Sequence, residues 1–193
     1  MRQHANCGCH SRRAVDYNTR VTIQLRDFCR DDLNTLWSID VQCFPPGIAY
    51  TPAELAAFIG GWKAFTLVAE VGSPEADSAE QPVRVAGFLV AQYGRRKAGH
   101  IITIDVLAQF RRGGVGSRLL NAAEERLIAS DCNTVFLETA VDNAAALAFY
   151  KRNRYDVIRT IPRYYASGVD ALVLEKDLQP VHTKDLLSSP RAS

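Results

Sequence analysis

The chain has 193 residues, enough for one domain of ordinary size whose core closes without disulfides or metal. Hydrophobic residues make up 47% and charged residues 23%, and 23 Lys+Arg against 21 Asp+Glu leave a net charge of +2. Dedicated nucleic-acid or membrane-surface binders carry a stronger basic bias, so neither partner is expected. The longest apolar runs are strand-sized, which excludes a transmembrane helix. The opening segment lacks the apolar stretch of a secretory signal, so the expectation is a soluble, cytoplasmic protein.

Cys7, Cys9, Cys29, Cys43 and Cys132 are an odd set scattered along the chain, unlike a disulfide framework. Cys7-Gly8-Cys9-His10 offers half of a zinc site, but structural zinc takes four ligands and no second pair lies nearby. No metal is expected. Residues 1–20 and 179–193 are polar and without periodicity, and read as disordered tails around a single domain over 21–178.

The domain opens on Val21-Thr22-Ile23-Gln24-Leu25, whose alternation of β-branched and polar residues predicts a strand. Asp31 and Asp32 start a helix with Leu33, Leu36 and Trp37 on its buried face. It stops near Cys43, because Phe44-Pro45-Pro46-Gly47 cannot continue it. Thr51-Pro52-Ala53-Glu54 is a capping box with proline at the first helical position, and it opens a second helix with Leu55, Phe58 and Ile59 inward. Strands are predicted over 65–71, 83–93 and 100–106. Their connections, the acidic loop after Gly72 and the Gly94-Arg95-Arg96-Lys97 turn, are too short and polar for crossover helices, so the three form an antiparallel meander. Val115, Leu119, Ala123 and Leu127 recur every four residues in a long helix. A strand over 134–140, a helix over 143–152 and strands over 155–160 and 171–176 complete the order β-α-α-β-β-β-α-β-α-β-β, a mixed α/β layer fold.

Between the third meander strand and the long helix lies Arg111-Arg112-Gly113-Gly114-Val115-Gly116-Ser117. A glycine-rich turn feeding a helix N-terminus presents outward N–H groups and the positive end of the helix dipole, and two arginines add charge-assisted contacts. Three anion-binding readings compete. A P-loop ends in Gly-Lys-Ser/Thr, which Ser117-Arg118 does not supply. A dinucleotide fingerprint needs a third glycine where Leu119 stands, and it begins a parallel sheet rather than following a meander. The third reading is an acyl-CoA site, matched by Arg-x-x-Gly-x-Gly from Arg111 to Gly116.

Two further residues break their local pattern. Glu138 interrupts the apolar strand Val135-Phe136-Leu137, a place where a carboxylate is costly unless it is paired or functional. Tyr150 ends an apolar helical stretch beside Phe149, either as a packing residue or as a positioned phenol.

With Ile104-Asp105-Val106, Arg111 to Gly116, Leu137-Glu138-Thr139, Asn143, Ala148-Phe149-Tyr150 and Arg163-Tyr164-Tyr165 in this order and spacing, the chain resembles the GNAT superfamily of acyl-CoA-dependent N-acyltransferases over about residues 21 to 178. Within it, the likeness is greatest to the bacterial ribosomal-protein-alanine and related protein N-terminal acetyltransferases. The resemblance implies the GNAT fold, a central mixed, mostly antiparallel sheet flanked by helices, and acetyl-CoA as cosubstrate. Ile104, Asp105 and Val106 would line the acetyl-pantetheine arm. Arg111, Arg112, Gly113, Gly114, Val115, Gly116 and Ser117 would hold the pyrophosphate, with a further coenzyme A contact from Asn143. Glu138 takes the place of the family's general base and Tyr150 that of the acid that protonates the departing thiolate.

The acceptor site falls to Phe44, Pro45 and Tyr50 in the stiff loop between the first helices and to Tyr164 and Tyr165 in the last hairpin. The acceptor implied is a protein N-terminus, a ribosomal protein among the candidates. The alternatives are a small amine such as a polyamine, aminoglycoside or amino acid, or a non-catalytic acyl-CoA-binding module. A monomer or homodimer is expected. Two departures stand out: Arg154-Tyr155 where the family has Gly-Phe, and Leu107-Ala108 where it has Asp-Pro.

Overall fold

The computed structural model describes residues 22–72, 84–94 and 96–178. The two expected tails, Cys7-Gly8-Cys9-His10, and all of the acidic loop after Gly72 lie outside the described residues. The elements run β1 (Thr22–Asp27), α1 (Leu33–Cys43), α2 (Pro52–Ile59), β2 (Ala64–Gly72), β3 (Arg84–Tyr93), β4 (Ala98–Val106), α3 (Val115–Ala129), β5 (Thr134–Ala140), α4 (Ala144–Arg152), β6 (Asp156–Ile161) and β7 (Ala171–Asp177), the order expected from the sequence. Among the described residues no helix is long and apolar enough to cross a membrane.

One seven-stranded sheet, ordered β1-β2-β3-β4-β5-β7-β6, carries everything else. All its pairs are antiparallel except β4 with β5. The meander is therefore present, and helices cover both faces. Side chains alternate along β2, so Phe65, Leu67, Ala69 and Val71 face a core built with Leu119, Leu120, Ala123 and Leu127 of α3. Val68 faces the other way and joins Phe88, Val90, Leu36, Ile39 and Leu55 under α1 and α2. Burial on both faces is why β2 and β3 read as nearly continuous apolar runs.

The Thr51 capping box forms as expected: Thr51 Oγ1 accepts the Glu54 N–H at 3.2 Å, and Glu54 Oε2 accepts the Thr51 N–H at 2.8 Å. Two expectations about burial need correction. Trp37 and Phe58 are 38% and 37% exposed, because α1 and α2 each press only one narrow stripe on the sheet: Leu36, Ile39 and Asp40 from α1 and Leu55 from α2 are buried, with Cys43 and Ile59 partly buried beside them. Trp37 instead donates its indole N–H to the Tyr50 carbonyl at 3.2 Å.

After α4 the chain turns at Arg154, whose φ of 66° lies in the left-handed region that glycine adopts without strain. Arg154→Gly is expected to stabilise the fold by about 1 kcal/mol, read as a rise in the urea midpoint with an unchanged slope. Tyr155, in place of the family's phenylalanine, is buried and donates its hydroxyl to Glu124 Oε1 at 2.9 Å, while Lys176 Nζ bonds Glu124 Oε2 at 2.6 Å. The extra oxygen is thus matched by a partner on α3, as a buried hydroxyl requires.

Candidate active site

The site is laid out by a failure of pairing. Strands β4 and β5 run side by side only over Ala98↔Thr134, Gly99↔Val135 and His100↔Phe136. Beyond that point they part, leaving a wedge walled by residues 101–106 of β4 and 137–140 of β5. A bulge opposite Val90 and Ala91 leaves Ile102 without a cross-strand partner. It resets the alternation, so Ile101 and Ile104 both pack on the α3 side while Ile102 turns toward α1 and α2.

At the top of β4, the Val106 carbonyl accepts the Arg111 Nε–H at 2.8 Å and the Cys43 thiol at 3.5 Å. A short helical turn, Ala108–Phe110, stands where the family's Asp-Pro would be. Arg112, at φ 61°, and Gly114, at φ 87°, then swing the chain into α3, and the Arg118 N–H closes the first helical bond on the Gly114 carbonyl at 3.0 Å. Gly114 has open space around its α-carbon, and Gly116 rests near the Phe149 ring of α4. Arg112, Gly113 and Gly114 are exposed and Ser117 is half-buried, so the turn is open to an anion. Val115 belongs to the core instead. Asn143 caps α4, its Oδ1 accepting the Ala146 N–H at 3.1 Å.

Glu138 lies on β5 just past the point of parting, on the face away from α3. Its Oε2 accepts the His100 Nε2–H at 2.7 Å, both side chains being largely buried. A carboxylate only accepts, so this contact places a ring proton on Nε2. His100 stacks on Phe136 at 4.3 Å and 9°, which fixes the ring plane. Glu138 Oε1 has no hydrogen-bond partner among the described residues. Sequence reasoning gave His100 no role. Its signal was an imidazole in a strand rich in isoleucine, and its partner is 38 residues away.

Tyr150 is buried on α4 between the rings of Phe149 at 5.2 Å and Tyr155 at 5.5 Å. Burial, then the charge of Asp105 and then Tyr165 push its phenol up, so it keeps its proton across the physiological range. Tyr164 and Tyr165 stand in the β6–β7 connection as an edge-to-face pair at 5.1 Å. Burial first and the neighbouring Tyr164 and Glu138 after it raise Tyr165 to about 12. Burial and Glu138 also push Tyr164 up. The α1–α2 loop meets this connection where Gly47 approaches Ser167. Tyr50 packs on Phe58 at 5.0 Å and brings its hydroxyl to 3.5 Å from the Ile102 carbonyl. Phe44 is half-buried and Pro45 exposed along the same loop. The structure therefore gathers Tyr50, Tyr164, Tyr165, Glu138 and His100 on one side of the wedge, and the glycine-rich turn and Tyr150 toward the other.

Two buried acids lie beneath this arrangement. Asp40 holds the Tyr50 N–H at 2.8 Å, and Asp105 holds the Thr103 hydroxyl at 2.9 Å. Each leaves one oxygen without a partner. Burial raises Asp40 to about 6, against the pull of the Tyr50 N–H. Asp105 is pushed well above the usual carboxylate range by burial and by the charge of Asp40. Asp105 is fully buried, and its hydrogen-bond partner Thr103 is on its own strand. Among the described residues no group of three or more His, Cys, Asp or Glu is placed to hold a metal.

Residues 33–154 match the Acetyltransferase (GNAT) family. An uncharacterized N-acetyltransferase of Methanocaldococcus jannaschii is 29% identical over 156 residues, 79% of this chain and 90% of that one. The N-alpha-acetyltransferase daf-31 of Caenorhabditis elegans is 25% identical over 154 residues, 77% of this chain and 79% of that one. Among solved structures, Arabidopsis thaliana NAA60 in complex with acetyl-CoA superposes with a TM-score of 0.67 over 81% of this chain and 98% of its own, at 21% identity, a likeness of fold. With the wedge between β4 and β5 and the glycine-rich turn opening α3, the match places the chain in the acetyltransferase (GNAT) family as an acetyl-CoA-dependent N-acetyltransferase.

Proposed function

We propose that the chain acetylates the α-amine of a protein N-terminus, with Glu138 as the proton acceptor and Tyr150 as the proton donor. The observation that carries this reading is the His100–Glu138 pair, set at the mouth of the β4–β5 wedge beside Tyr164 and Tyr165. The residues present suit acetyl-CoA. The parted β4 offers main-chain groups unpaired with β5 to a pantetheine arm, and the N–H groups of the turn from Arg112 to Gly116 suit a pyrophosphate. When bound, the cosubstrate supplies the acetyl thioester.

An α-amine of pKa about 8 is mostly protonated at neutral pH, yet gives up its proton more readily than lysine at about 10.4. Glu138 Oε1, the oxygen left free by His100, takes that proton directly or through one water. The amine nitrogen forms the new C–N bond as the C–S bond breaks, and the Tyr150 hydroxyl delivers a proton to the departing sulfur. The second proton shed by the nitrogen returns through solvent to the Tyr150 oxygen, and the proton held by Glu138 is released to water. Main-chain N–H groups of β4 near Val106 stabilise negative charge developing on the carbonyl oxygen. Tyr164 and Tyr165, both protonated, supply hydroxyl donors for a peptide backbone, and Tyr50 with Phe44 and Pro45 forms the opposite wall.

The test is coenzyme A release from acetyl-CoA with free and N-terminally blocked peptides, among them the first residues of ribosomal proteins that begin with alanine, beside polyamines, aminoglycosides and amino acids. Turnover on free peptides that vanishes on blocking the α-amine supports the reading. Turnover on small amines alone replaces the acceptor, and binding without turnover replaces the activity.

A further inference from the structure

Gln92 of β3 stands directly opposite His100 in the β3–β4 ladder, and its Nε2 lies 3.4 Å from His100 Nδ1. The imidazole thus has a polar neighbour at each nitrogen: the Glu138 carboxylate at Nε2 and the Gln92 amide at Nδ1. We propose that Gln92 is a positioning residue that keeps His100 neutral: its amide N–H, donated to Nδ1, leaves the single ring proton on Nε2 facing Glu138. This rests on the role proposed for Glu138 above.

The reasoning is one of donors and acceptors. Glu138 requires an Nε2–H, so the neutral ring has its lone pair on Nδ1 and needs a donor there, which the amide supplies. A second ring proton would point from Nδ1 at an N–H instead of an oxygen, and the amide would have to turn over to receive it. An imidazolium at 2.7 Å from Glu138 would lower the affinity of that carboxylate for the substrate's proton. A neutral ring orients Glu138 without weakening it. The charged and titratable groups around the pair are consistent with this. Glu138 faces His100 from β5, Tyr164 and Tyr165 from the β6–β7 connection face Glu138, and Asp142 faces Tyr165. Strand β3 contributes only the uncharged Gln92 at the ring, whose face is covered by Phe136.

The experiment is long-range proton–nitrogen NMR of the full-length 15N-labelled chain, with the His100 signals assigned by their loss in His100→Gln. The wild-type ring should carry its proton on Nε2. Gln92→Glu places a carboxylate at each nitrogen, and it should raise the His100 titration midpoint by about one to three pH units. The acidic limb of kcat/KM for peptides should move up by the same interval, with activity recovering at alkaline pH. Gln92→Met removes the donor without adding charge and should move the midpoint in the same direction by less. A wild-type proton on Nδ1, or a midpoint unmoved in Gln92→Glu, overturns the inference. The NMR reading uses no substrate, so a chain inactive on every peptide would overturn the proposed function and leave the tautomer result standing.

Discussion

Glu138→Gln is expected to lower kcat/KM for peptide acceptors by about two to four orders of magnitude while leaving coenzyme A binding nearly intact. The amide oxygen of glutamine can still accept the His100 Nε2–H, so the 2.7 Å contact and the stacking on Phe136 survive. What disappears is the capacity to take a proton, because an amide is not a base at any relevant pH. Loss of the base should also flatten the rise of activity with pH at the acidic end and leave a residual rate that follows the deprotonated fraction of the acceptor amine. The check is a pH profile of variant and wild type on one peptide, with the Kd for coenzyme A measured by calorimetry. Full activity at every pH would remove Glu138 from the role.

Tyr150→Phe has the next largest expected effect, a loss of about a hundred-fold in kcat. The ring contacts with Phe149 and Tyr155 remain in the variant, so the fold should be kept. The hydroxyl has no hydrogen-bond partner among the described residues, which leaves its proton uncommitted. Burial raises the phenol first, with Asp105 and Tyr165 adding to it, so no alkaline limb from this group is expected below pH 10. A leaving thiolate needs less help when its thiol is more acidic. An acetyl thioester with an aryl thiol leaving group should therefore recover much of the rate in Tyr150→Phe and none of it in Glu138→Gln. Equal loss with both thioesters would show that Tyr150 acts only by packing.

The elements themselves were legible because each rests on local chemistry. Thr51 and Glu54 satisfy one another's N–H groups within a single turn. The four-residue recurrence from Val115 to Leu127 becomes the face of α3 buried on the sheet. The turn before α3 announced itself through its glycines, and Gly114 does take the positive φ they permit. Glu138 and Tyr150 were conspicuous as polar groups in apolar settings. Arg154 stood out as the replacement for the family's glycine, and it sits at φ 66°.

The inward faces of α1 and α2 were less legible. Pattern alone placed Trp37 and Phe58 inside, whereas the contact with the sheet fully buries Leu36, Ile39, Asp40 and Leu55 and takes in Cys43 and Ile59 only in part. Asp40 went unnoticed for the same reason. A buried acid on an amphipathic helix looks like part of its polar face until its neighbours are known.

The sequence by itself determined the order of strands and helices, the glycine-rich turn before α3 and the two polar groups proposed for proton transfer, since periodicity, caps and turn residues act over a few residues. Only the tertiary structure decided which side chains meet. His100 reaches Glu138 across 38 residues, Tyr155 reaches Glu124 across 31 and Lys176 reaches Glu124 across 52. The parting of β4 from β5 after His100↔Phe136 is possible because β7 holds β5 over its whole length along the other edge. Such contacts follow from how the strands are ordered in the sheet, and strand order is settled by burial on both faces at once, which no local pattern encodes.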